Sequence, residues 1–143
     1  MSQIMTDDLL FAECIDALGN KVIILSKNES DAIWAVFKSK IPIIKGGSRI
    51  DWNKINKKVI ISAPDQIVIN LEQLLSHPIE QTIYVLWNDL SLPIIKTDLD
   101  SVLKYFDDVT CVGFETWFFN PSEGYIVEFY YLGELNAGLV SNK

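Results

Sequence analysis

The sequence predicts one α/β (α+β) domain over residues 1–143, with helices packed on a mixed central sheet. Early apolar runs alternate with segments of helical periodicity, which predicts parallel crossovers. Late apolar runs are joined by short turns, which predicts antiparallel hairpins. A chain of 143 residues, 49% hydrophobic and 22% charged, is long enough for one sizeable core and too short for a second useful domain.

Phe11, Cys14, Ile15 and Leu18 recur at helical spacing, with Thr6 and two Asp before them and Gly19 behind, the marks of a capped amphipathic helix. Val22–Leu25 is a short apolar run and reads as an interior strand covered on both faces. Ser26 followed by Glu29 is a capping box opening a second helix, with Ile33, Val36 and Phe37 inward. Pro42 and Gly46-Gly47 break regular structure, and Arg49–Ile55 predicts a helical turn with Trp52 and Ile55 on one side.

Val59–Ile61 reads as the next buried strand. Pro64 and Asp65 start a third helix with Ile67, Leu71, Leu74 and Leu75 inward, stopped at His77-Pro78. Ile83–Trp87 and Leu92–Lys96 are strands of a hairpin, the second placed near an edge by Pro93. Thr97 with Asp100 opens a helix burying Leu99, Val102, Leu103 and Phe106. A long hairpin follows, Thr110–Phe119 and Tyr125–Leu132 about the turn 120–124, and Gly133 and Gly138 bracket a last strand.

The net charge of −7 conceals an asymmetry. Residues 1–60 carry nine bases and seven acids, whereas residues 61–143 carry three bases and twelve acids. Seven of the bases fall between Lys38 and Lys58, beside one acid, Asp51. An acidic chain of this kind is not a general nucleic-acid binder, because phosphate binding needs a surplus of Lys and Arg; its natural partner is basic. The first residues hold no basic segment leading into an apolar run, and no apolar stretch nears the ~20 residues of a membrane-spanning helix. Cys14 and Cys111 read as two buried free thiols in a reducing compartment, which predicts a cytoplasmic protein.

Candidates for catalysis are thin. His77 is the sole histidine and reads as a cap on the carbonyls of a helix end. Lys45–Arg49 lacks the spacing of a phosphate loop and reads as a flexible turn. Asp98, Asp100, Asp107 and Asp108 flank one predicted helix and serve as solvated caps better than as a converging cation site. No catalytic, metal or cofactor site is predicted.

Ten of the sixteen aromatic residues lie between Tyr105 and Tyr131, in an interval with five acids and no Lys or Arg. Strand alternation places Val112, Phe114 and Phe118 on one side and Glu115 and Trp117 on the other; Val127, Phe129 and Tyr131 likewise oppose Glu128 and Tyr130. One face is core-like, and the other mixes carboxylates with amphipathic rings, the composition of an interface for a cationic partner. The rival reading is that Trp117 and Tyr130 pack beneath a helix.

Four stretches then resemble a known family. They are Leu-Leu-Phe-Ala-Glu-Cys-Ile-Asp-Ala-Leu-Gly (9–19), Arg-Ile-Asp-Trp-Asn-Lys-Ile (49–55), the strand pair about Trp-Asn-Asp-Leu-Ser-Leu-Pro-Ile-Ile-Lys (87–96), and Asp107 through Trp117 to Tyr125. Over about Leu9 to Leu139 the chain resembles the immunity proteins of contact-dependent growth inhibition systems. That resemblance implies a small, non-enzymatic bacterial protein that binds the toxin domain delivered by a neighbouring cell. The toxin expected is a basic nuclease, such as one cutting tRNA, held with its active site or substrate-binding surface covered. The family implies no site residue; on the charge and aromatic pattern above, the residues expected to bind the toxin are Asp107, Asp108, Glu115, Trp117, Glu123, Glu128 and Tyr130, with the basic stretch Lys38–Lys58 as a second candidate surface. Neither nucleic acid nor membrane is an expected direct partner. The alternative is a scaffold or regulatory protein-binding module unrelated to toxins.

Overall fold

Every position of the strand Glu115–Asn120 is buried, so the sheet it belongs to is covered on both faces. A computed structural model describes residues 6–140. Its helices are α1 (Thr6–Leu18), α2 (Lys27–Lys40), α3 (Ile67–Leu75), α4 (Leu99–Lys104) and α5 (Phe106–Thr110). Its strands are β1 (Ile23–Ile24), β2 (Lys58–Ile60), β3 (Thr82–Trp87), β4 (Ile95–Asp98), β5 (Glu115–Asn120), β6 (Tyr125–Tyr130) and β7 (Leu135–Leu139). They form one seven-stranded sheet in the order β1-β4-β3-β5-β6-β7-β2.

All neighbouring strands in that sheet are antiparallel, which corrects the expectation of parallel crossovers at the N-terminal end. The physical reason is the path of the chain after α2. Residues 41–57 do not turn back beside β1; they run across the sheet and deliver β2 to the opposite edge, where Leu139 N–H donates to the carbonyl of Lys57. The two runs expected to be buried strands are therefore the two edges. Ile23 and Ile24 are exposed, and Ile60 is 83% exposed. Both edge strands are very short, which limits the open ladder available for pairing with another chain. β4 lies between β1 and β3, one strand in from the edge, and Pro93 precedes it.

Two cores sandwich the sheet. On one face Cys14 and Leu18 of α1, Ile67 and Leu71 of α3, Val102 and Val109 pack on Ile83, Val85, Phe118 and Val127. On the other, Phe37 of α2 with Ile41, Ile50 and Ile55 packs on Leu86, Trp117, Phe119 and Ile126. Alternate residues of β5 thus serve opposite cores, which explains why Trp117, Phe118 and Phe119 follow one another without a polar residue between them. Fully burying each such side chain contributes about 1.5–3 kcal/mol.

Local signals act as physical chemistry demands. The Ser26 hydroxyl accepts from Glu29 N–H at 3.1 Å and Glu29 Oε1 accepts from Ser26 N–H at 2.9 Å, closing the capping box; these bonds hold the Glu29 carboxyl below its ordinary range. The helix expected after Thr97 is capped instead by Asp98, which accepts from Ser101 N–H at 2.8 Å, and it breaks at Tyr105 into α4 and α5. α3 ends through Ser76 in the left-handed conformation, while His77 Nδ1 lies 2.8 Å from the carbonyl of Pro78 rather than on the helix end. Residues 6–8, expected to cap α1, fall where side chains lie outside the described set.

Candidate functional site

Cross-strand register places Trp117 opposite Glu128 and Glu115 opposite Tyr130. Strand alternation points all four to the α2 side of the sheet, as their sequence predicts. Glu115, Trp117 and Glu128 do not face solvent there: the irregular segment after α2 lies over the two carboxylates, and Phe37 and Trp34 of α2 pack on the Trp117 ring. The Glu128 carboxylate, fully buried, accepts from Ile50 N–H at 2.8 Å, Trp117 Nε1 at 3.0 Å, Trp52 Nε1 at 3.0 Å and Arg49 Nη2 at 3.4 Å. Glu115, also buried, accepts from Asn88 Nδ2 at 3.0 Å and Ser48 Oγ at 3.2 Å.

Glu115, Trp117 and Glu128 are accordingly interior residues, which corrects the expectation that they present an interface. A buried carboxylate is tolerated where donors replace its water, and here four of the six donors come from Ser48, Arg49, Ile50 and Trp52. Those donors make Lys45–Arg49 part of a pinned cover over the sheet, a role that a flexible turn does not have. Arg49 completes it, with its guanidinium 4.1 Å over the Tyr130 ring and ion-paired to Glu134. Burial alone would lower its pKa, but Glu134 and Glu128 outweigh that and raise it.

The other expected site residues are not all together. Asp107 and Asp108 are exposed at the start of α5. Tyr130 is half-buried at the open end of the β5–β6 hairpin, 4.9 Å between ring centres from Tyr131, which is in turn 4.9 Å from Phe114. Glu123 sits at the opposite end of the hairpin, where its Oε1 accepts from Glu80 N–H at 3.0 Å and Oε2 lies 3.9 Å from His77 Nε2. Asp107, Asp108 and Tyr130 thus share one end of the molecule, and Glu123 marks the other.

Between α1, α5 and that open end lies a cup of about 710 Å³. Leu10, Val112, Phe129, Phe114 and Tyr131 supply apolar walls, Asp107 and Cys111 line it as well, and no Lys or Arg does. Phe114 is 68% exposed, Tyr131 50% and the adjacent Leu132 70%. Phe114 and Tyr131 were expected in the core because alternation was carried past the ends of the strands. β5 begins at Glu115 and β6 stops at Tyr130, and Gly133, at φ 104°, turns the chain so that residues 131 and 132 project. The glycines at 113 and 133 were the available signal. Cys111, expected buried, is exposed; Cys14 is buried. Partial burial and the charges of Asp108, Glu13 and Asp107 push the Cys111 thiol above its ordinary value.

At the far end of the sheet a cleft of about 630 Å³ is lined by Lys38, Lys40, Lys54 and Lys57 with Ile55 and Val140. Within the basic stretch 38–58, these four lysines share one cleft with no acid among its lining residues. The described residues contain no group of three or more His, Cys, Asp and Glu side chains arranged to hold a metal ion. No helix among them is long and apolar enough to cross a membrane.

The model of one protein family, described as CdiI immunity protein, EcoliA0-like, matches residues 8–138. The chain belongs to this family. A search of curated proteins returns no match. The family's role is immunity against a toxin protein, so the surfaces that matter in this immunity protein are those able to meet another protein. Two are distinguished by charge and shape: the acidic-aromatic end with its cup, and the lysine cleft.

Proposed function

We propose that this immunity protein neutralises a basic nuclease toxin, one acting on tRNA being the leading case, in the cytoplasm of the cell that makes it. It acts as a stoichiometric inhibitor, without chemistry or cofactor of its own, covering the active site or the substrate-binding surface. The carrying observation is the acidic-aromatic end, where Asp107 lines a cup with Phe114 and Tyr131, exposed Asp108 follows it on α5, and no Lys or Arg is among the residues lining the cup. A nuclease holds its substrate with Lys and Arg along a cleft. Carboxylates pair with those cations, and rings occupy places where bases stack. Nanomolar neutralisation corresponds to about −12 kcal/mol, which a few desolvated charge pairs and ring anchors supply. Glu123 belongs to this reading only as a distant acid that adds to the field.

The test is titration of the toxin domain encoded beside this protein, assayed on tRNA and on other RNA and DNA. Inhibition is expected to saturate near one to one, and Asp107→Lys with Asp108→Lys to weaken it. Cleavage of no nucleic acid by the toxin would overturn the nuclease reading, and inhibition that never saturates would overturn stoichiometric cover. The lysine cleft supports a second reading, in which an acidic toxin surface docks there; Lys54→Glu with Lys57→Glu separates the two.

A further inference from the structure

We infer that the cup between α1, α5 and the open end of the β5–β6 hairpin is the socket for a large apolar side chain of the toxin, flanked in the toxin by Lys or Arg. The inference rests on the immunity reading above and names what that surface recognises. Three features of the cup select this occupant. First, Phe114 and Tyr131, which line it, hold 68% and 50% of their surface in water, an unfavourable exposure that a partner relieves. Second, about 710 Å³ with Leu10, Val112 and Phe129 as walls accommodates an aromatic or branched side chain, the type that anchors protein interfaces. Third, Asp107 within the cup and Asp108 beside it favour cations around that anchor.

The same charges disfavour the other candidates. A second copy docked on this same end by two-fold symmetry would bring Asp107 and Asp108 against their own counterparts. An anionic lipid surface would meet the same repulsion. A basic toxin segment carrying one apolar anchor satisfies the walls and the rim together.

Cys111 provides a probe inside the cup. It is exposed, whereas Cys14 is wholly buried, so N-ethylmaleimide at mildly alkaline pH modifies Cys111 alone. The toxin domain encoded beside this protein is the ligand. The expected result is that alkylated protein binds it at least about 10-fold more weakly than untreated protein, that the affinity of Cys111→Ser, whatever its value, is indifferent to the reagent, and that bound toxin shields Cys111. Phe114→Ala is expected to weaken binding by a similar factor with an unchanged melting temperature, since its ring is mostly in solvent. Unchanged affinity for both the alkylated protein and Phe114→Ala would overturn the socket while leaving the immunity reading intact. Failure of the unmodified protein to bind its toxin would overturn the immunity reading and the socket with it. Shielding of Cys111 in a toxin-free dimer would assign the cup to a second copy instead.

Discussion

The Trp117 indole donates to the Glu128 carboxylate at 3.0 Å across directly opposed positions of β5 and β6, with both side chains buried. Glu128 takes three further donors from Arg49, Ile50 and Trp52, so it joins the sheet to its cover. Glu128→Ala leaves the indoles of Trp117 and Trp52 and the Ile50 backbone N–H without their acceptor and frees the segment they hold. We expect a loss of about 3–5 kcal/mol, read by urea unfolding. Glu128→Gln loses less, because its carbonyl oxygen still accepts while its amide meets donors. A loss below about 1 kcal/mol for the alanine variant would show that the cover is held by packing alone.

What the sequence discloses is local and periodic. Ser26 and Glu29 announce α2, and Asn120–Gly124 announce the hairpin turn, because the interactions involved lie within four residues. The face shared by Glu115, Trp117, Glu128 and Tyr130 is also legible from alternation. What covers that face is not, since Ser48 lies 67 residues from Glu115 and Ile50 lies 78 from Glu128. No spacing rule reports a contact of that range. The same gap placed β1 and β2 inside the sheet: an apolar run shows that a strand is affordable in a core, and only tertiary pairing decides whether it is an edge. The cup escaped because it is formed by residues just beyond the strand ends, where alternation ceases to apply.

Gly138 stands inside β7, not at its boundary, and space requires it there. A Cβ at this position would sit 2.9 Å from Trp52 Cζ3 and 3.0 Å from both Ile55 Cγ2 and the Lys57 carbonyl oxygen. The last is backbone and cannot swing away. Gly138→Ala is therefore expected to displace residues 52–57 and cost about 1–3 kcal/mol. Thermal unfolding measures the cost, and a shift in tryptophan emission reports the movement of Trp52. Unaltered stability would mean that this segment is free to lift from β7.

Alkaline pH tests the α1 side of the core. Burial, reinforced by Cys111 and Asp108, pushes the Cys14 thiol up from 9.0 to about 12, and burial also raises the Tyr125 phenol. In the unfolded chain these groups release protons first, so the folded state binds more protons above pH 9. Stability is then full below pH 9 and falls as pH rises toward 12, with Cys14 contributing at most about 1.4 kcal/mol per pH unit. Urea unfolding at intervals from pH 7 upward should show this decline, and Cys14→Ala should flatten it. A slope unaffected by Cys14→Ala would indicate that the thiol ionises without penalty in the fold.

Charge reversal at three places separates the two ends of the molecule. Asp107 and Asp108 project from α5 beside the cup, Glu123 lies at the opposite end of the hairpin, and Lys54 and Lys57 line the distant cleft. If a basic toxin docks on the acidic-aromatic end, Asp107→Lys with Asp108→Lys slows association by about tenfold or more at low salt and reduces its salt dependence. Glu123→Lys, far from the contact, changes the rate only through the overall field, by less than about threefold. Lys54→Glu with Lys57→Glu leaves dissociation unchanged and, by making the protein more acidic, modestly speeds association. Surface plasmon resonance against the toxin domain at several salt concentrations resolves all three. Loss of binding in the lysine variant, with the aspartate variant intact, would move the toxin to the basic cleft.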